Sequence, residues 1–77
     1  KTMTLELFLV FSDFAGDGIK REITNSLYYL GLTKSGPNRW IAEGLDRNSI
    51  KSVFGFIHQK MFPAKHNAFS ELSVIVF

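Results

Sequence analysis

The sequence predicts an α+β fold of ferredoxin-like βαββαβ order, a four-stranded antiparallel sheet with two helices on one face, built by residues 1–77 as a single domain. Three observations predict it. The first and last segments alternate apolar and polar residues with the period of a half-buried strand. Two interior segments repeat apolar residues at spacings of three and four, as amphipathic helices do. Between those helices, Ser35-Gly36-Pro37-Asn38 is the strongest turn signal in the chain and splits two short strand-like segments into a hairpin. Strand, helix, strand, strand, helix, strand is the split βαβ arrangement. Right-handed crossovers then put both helices on one face and make the first and third strands central.

Each element has its own warrant. From Thr2 to Phe11, Met3, Leu5, Leu7, Leu9 and Phe11 point one way and Thr4, Glu6, Phe8 and Val10 the other. The stretch from Asp13 to Gly18 has the composition of a turn or helix entry, and Ile19, Ile23, Leu27 and Leu30 then trace a helix that ends at Gly31, a natural left-handed cap. Gly31 to Lys34 and Arg39 to Glu43 read as the hairpin strands. Asp46 or Asn48 can cap a second helix, in which Ile50, Val53, Phe54, Ile57 and Met61 form the apolar stripe before Pro63 prevents continuation. Phe69 to Phe77 alternates again, with Leu72, Val74 and Val76 opposed to Glu71, Ser73, Ile75 and Phe77.

Composition narrows the chemistry. With 45% hydrophobic and 21% charged residues the chain is of ordinary globular type. The absence of Cys excludes disulfides, thiolate zinc sites, iron–sulfur clusters and cysteine nucleophiles. A core of this size contributes only about 3–5 kcal/mol, so dense aromatic packing, with 8 Phe, and association with another copy are both expected. A formal net charge of +2 implies no polyanion partner by itself. The longest wholly apolar run, Leu7 to Phe11, falls far short of the roughly 18 residues that span a bilayer. We therefore expect a soluble cytoplasmic protein with no membrane partner. An initiator Met or a processed segment is expected ahead of Lys1.

The predicted topology makes the helix-free face of the sheet informative. It should carry Phe8, Ile41, Ile75 and Phe77 as an apolar interface, with acidic neighbours, and a homodimer is expected to form through it. A strand out of register would return these side chains to the core instead.

Two constellations bear on catalysis and binding. Asp13 and Asp17 sit just past the end of the first strand, where paired carboxylates can hold Mg²⁺ or Mn²⁺ and position a water for phosphodiester cleavage. The alternative is that either Asp caps the following helix and complements its dipole. Gly16-Asp17-Gly18 lacks the glycine fingerprint of a phosphate cradle and places a carboxylate where the phosphate would sit. The most basic stretch, His58 to His66, carries Lys60 and Lys65 around Phe62 and Pro63. Such a cluster contacts nucleic-acid phosphates or simply complements a helix C-terminus while Phe62 closes the core. Nothing places a particular Ser beside His58 or His66. Val53-Phe54-Gly55-Phe56-Ile57 has the composition of an RNA-recognition strand, but its helical periodicity excludes that reading.

Val10-Phe11-Ser12-Asp13 at the first turn, a first helix ending in Leu30-Gly31, and Glu43-Gly44-Leu45 before the second helix together resemble the small CRISPR-associated ferredoxin-like nuclease family of the spacer-integration complex. Related ferredoxin-like toxin and antitoxin endoribonucleases share the outline. The resemblance implies that Asp13 is the catalytic metal-binding residue and that Lys20 or Arg21 is the basic residue near the start of the first helix. Two function classes follow. One is a dimeric nucleic-acid-associated protein, a metal-dependent nuclease through Asp13, with Lys20, Arg21, Lys60 and Lys65 on DNA or RNA phosphates. The other is a non-catalytic interaction module, such as a phage or mobile-element inhibitor or an antitoxin, that binds a target protein through its open sheet face or last strand. In that class no cofactor is expected.

Overall fold

Alternation along the first strand decides which side of the sheet becomes the core. A computed structural model of the chain describes residues 1–63 and 65–77, with the side chains of Lys65 and His66 outside the described set. In it β1 (Met3–Phe11) buries Leu5, Leu7 and Leu9 and turns Glu6 and Phe8 to the opposite face. It lies between β3 (Arg39–Leu45) and β4 (Phe69–Val76), and β2 (Thr33–Lys34) pairs with the far side of β3. All pairings are antiparallel, in the order β2-β3-β1-β4. This is the predicted ferredoxin-like arrangement with the first and third strands central.

Helix α1 (Asp17–Tyr29) begins after Gly16, an extended N-cap that makes no side-chain cap bond. Neither Asp therefore caps it in the way the sequence allowed. Asp17 is already the first helical residue, where its carboxylate faces the positive end of the helix dipole, and Asp13 belongs to the turn before it. The helix buries Ile23 and Leu27. It closes with a Schellman motif: the Leu32 N–H donates to the Leu27 carbonyl at 3.0 Å, the Gly31 N–H to the Tyr28 carbonyl at 3.0 Å, and Gly31 takes φ +94°. Gly31 and Leu32 are consumed in that cap, so β2 is shorter than the predicted strand.

β3 outruns its prediction by two residues. Ala42 stands opposite Leu5 but Leu45 opposite Met3, so β3 holds one extra residue, and Gly44 in the bulge has φ +69°. Asp46, not Asn48, then caps α2 (Arg47–Phe56), accepting from the Ser49 N–H at 2.8 Å. This bond holds the Asp46 carboxyl below its ordinary pKa.

The helix does not run on regularly to Pro63. It widens into a π-helical turn, Ile57–Met61, in which the Phe62 N–H reaches the Ile57 carbonyl five residues back at 2.9 Å. Ile57 and Met61 are both buried, whereas Phe62 is left exposed rather than closing the core. Phe54, expected in the buried stripe, is exposed too, because it stands about 100° around the helix from buried Val53. A one-turn helix, α3 (Lys65–Ala68), leads directly into β4.

Ile23 and Leu27 of α1, Val53 of α2 and the inward residues of β1 and β3 belong to one apolar cluster, which sets both helices on the same face of the sheet. Trp40 closes one side of it, edge-on to Tyr28 with ring centroids 5.0 Å apart. No polar side chain among the described residues is buried. Nor, among them, is any helix long and apolar enough to cross a membrane.

Candidate functional site

Strand register assembles the helix-free face row by row. Ile41, Glu6 and Ile75 stand side by side across β3, β1 and β4; Arg39, Phe8 and Ser73 form the next row. Thr4 and Phe77 exchange backbone hydrogen bonds of 2.7 and 2.8 Å at the near end. Phe8, Ile41, Ile75 and Phe77 are thus all on the open face and not in the core. Ile75 and Phe77 are 56% and 68% exposed, Phe8 37%, and Ile41 partly buried.

Charge interrupts this apolar surface. Glu6 lies between Ile41 and Ile75, and Arg39 Nε sits 3.8 Å from its Oε1, an exposed pair of the kind that contributes about 0–1 kcal/mol. By strand alternation Glu43 and Glu71 share the face, so its carboxylates outnumber Arg39 and disfavour a phosphate backbone.

The second candidate lies at one end of the sheet. Phe11 is opposite Phe69, so β1 ends where β4 begins, and the loop after β1 meets the segment before β4. Ser12 joins them: its N–H donates to the Ala68 carbonyl and its Oγ to the Asn67 carbonyl, both at 2.8 Å. The antiparallel topology brings the start of α1 and the end of the π turn to this same end. Asp13, Asp17, Lys20, Arg21 and Lys60, all exposed, thus lie on elements that begin or end there. The Lys65 side chain, expected on nucleic-acid phosphates, lies outside the described residues.

Two exposed carboxylates are the hard oxygen donors that Mg²⁺ or Mn²⁺ takes, with water filling the other positions, so Asp13 and Asp17 fit such an ion in donor chemistry. Among the described residues they are not joined by a third acidic or imidazole side chain.

Several exposed features escaped sequence reasoning. Phe14 is 89% exposed on the turn after β1, while its N–H donates to Ser12 Oγ at 3.3 Å. It belongs to neither the strand nor the helix period, which is the signal that could have marked it. Phe54, His58 and Phe62 lie along one exposed side of α2 and the π turn, the last two edge-to-face at 5.9 Å. At the opposite end of the sheet a cleft of about 390 Å³ is lined by Lys1, Thr2, Met3, Arg47 and Phe77.

No protein-family model, curated protein or solved structure matches the chain.

Proposed function

We propose that this chain is a non-catalytic interaction module that presents its open sheet face to a target protein. The reading rests on one observation: Phe8, Ile75 and Phe77 are exposed together on a helix-free face, beside Ile41 and framed by Glu6, Glu43, Glu71 and Arg39. An apolar centre with a charged frame is the composition of a protein interface, and the excess of carboxylates suits a partner with a basic rim. The test is a photo-crosslinking residue placed at position 75 or at position 20 in cells. An adduct with a protein other than this chain, formed from position 75 and not from position 20 and abolished by Phe8→Asp, is the expected result. Nucleic-acid adducts from position 20 with none from position 75 would overturn it.

A second reading is supported by topology, which sets the elements carrying Lys20, Arg21 and Lys60 at the same end of the sheet as Asp13 and Asp17. It is the nucleic-acid-associated protein implied by the resemblance, with cleavage dependent on Mg²⁺ or Mn²⁺. A bound ion would be held by Asp13 and Asp17 and would supply phosphate neutralisation and a more acidic water. The three cations would hold the phosphate backbone. Salt-dependent binding to DNA or RNA, with cleavage that needs added metal, is the measurement that would raise this reading above the first.

A further inference from the structure

Among the described residues, the outer edge of β4 is an eight-residue strand with no neighbour, whereas the opposite edge of the sheet, β2, is only two residues long. Hydrogen bonding to β1 determines what this edge offers. Thr4 and Phe77 exchange both of their backbone bonds, and the register runs without a shift from there to the pair of Val10 with Glu71. Antiparallel alternation therefore turns the N–H and C=O groups of Leu72, Val74 and Val76 outward. Their side chains lie at the margin of the core, only partly buried, and Ile75 and Phe77 are exposed on the other face.

Proteins blunt such edges with Pro, Lys, bulges or a covering element. From Leu72 to Val76, among the described residues, β4 has none of these, and its one charged residue is Glu71. We infer that the occupant of this edge is a second copy of the chain, its β4 running antiparallel about a twofold axis at Ser73, so that two sheets become one of eight strands.

Self-complementarity selects this occupant and this register. An axis at Ser73 sets Leu72 opposite the partner's Val74, joined by backbone bonds, and extends the partly buried apolar row across the seam. It sets Glu71 opposite the partner's Ile75, so no like charges face each other. It brings Ser73 against the partner's Ser73 in a non-hydrogen-bonded pair, where the Cα atoms approach to about 4.5 Å and small side chains fit. Moving the axis to Val74 would push Glu71 past the end of the partner's strand, opposite the partner's Phe77. The inference is independent of what the open face binds.

The register makes a sharp test, because the chain has no cysteine of its own. A Cα separation near 4.5 Å is within disulfide range, so Ser73→Cys should oxidise at micromolar concentration almost wholly to a reducible dimer. Glu71→Cys and Ile75→Cys should not, since neither meets itself across the axis, whereas the double variant carrying both should. Wild-type protein should show the mass of two chains by light scattering. Val74→Pro should halve that mass with unchanged circular dichroism, because the N–H it removes points away from β1. Monomeric wild-type protein would overturn the inference. So would equal cross-linking at positions 71, 73 and 75, or a dimer that survives Val74→Pro yet is split by Phe8→Asp, which would place the interface on the open face.

Discussion

The Phe11 and Phe69 rings stack with centroids 5.4 Å apart and planes 23° from parallel, at the point where β1 and β4 leave their common register. Between the pairs Val10–Glu71 and Phe11–Phe69, β4 carries Ser70 as an extra residue, and the bend turns Phe69 into the core. One buried ring thus anchors both the start of β4 and the loop that carries Asp13.

Removing that anchor should unfold the chain. Phe69→Ala deletes a buried ring, a change that costs about 3–5 kcal/mol, comparable to the whole stability of a domain this small. Denaturant titration should find Phe69→Ala largely unfolded in buffer and Phe69→Leu folded with a lower midpoint. A folded Phe69→Ala protein of near wild-type stability would mean that the ring does not carry this junction.

Two glycines should respond to alanine with opposite sign. Gly44 holds φ +69° with open space around a built Cβ, so Gly44→Ala costs backbone strain alone, about 1–2 kcal/mol. Gly55 lies inside α2, also with open space around a built Cβ, and Gly55→Ala should stabilise by about 0.5–1 kcal/mol. Urea midpoints moving in the same direction would contradict this assignment.

The cap of α2 should make stability sensitive to acid. The Ser49 N–H bond depresses the Asp46 pKa in the folded state, so the stabilisation is present above the unfolded-state pKa and is lost as pH falls through the lower folded value. Asp46→Ala should lower the melting temperature by several degrees at neutral pH, and the gap to wild type should narrow in acid as the cap protonates. Asp46→Asn, which retains an acceptor, should lose less. A gap that widens in acid would reverse the sign and remove the cap from the explanation.

Asp13→Asn separates chemistry from folding. Asp13 is exposed and caps nothing, so the variant should melt with wild-type protein. Any Mg²⁺- or Mn²⁺-dependent cleavage should vanish with the carboxylate charge. Where nucleic acid binds at all, Lys20→Glu with Lys60→Glu should weaken it across sequences. The salt dependence should flatten by about one unit of slope for each phosphate that the variant no longer neutralises. Unchanged affinity in the folded double variant would leave this rim without a nucleic-acid role.

The strands and helices were legible because their apolar periods are unbroken: Leu5, Leu7 and Leu9 alternate cleanly, and Ile23 and Leu27 sit one turn apart. The open face followed from strand parity alone, which is why Phe8, Ile41, Ile75 and Phe77 share it. What sequence reasoning missed depends on backbone geometry that no side-chain period encodes. The bulge at Gly44 lengthened β3, the Schellman closure shortened β2, and the π turn exposed Phe62. Helix α1 starts behind a glycine because an extended N-cap needs no side chain, and two nearby Asp residues suggested otherwise. That Asp13, Lys20 and Lys60 sit on elements meeting at one end of the sheet could be proposed from chain order, but the Ser12 hydrogen bonds to Asn67 and Ala68 that tie the Asp13 loop to the start of β4 join residues 55 and more positions apart.

The π turn also makes this chain tolerant of a change in length. Ile57 and Met61 both face the core across a turn that spends one residue more than an α-helix needs. Deleting exposed Gln59 would bring the two anchors to a spacing of three, which an ordinary α-helix also sets on one face. The segment is therefore a natural site for single-residue insertions and deletions to accumulate among descendants of this sequence, with α2 and β4 keeping their places while the rim carrying Lys60 and Phe62 rotates and changes what it displays.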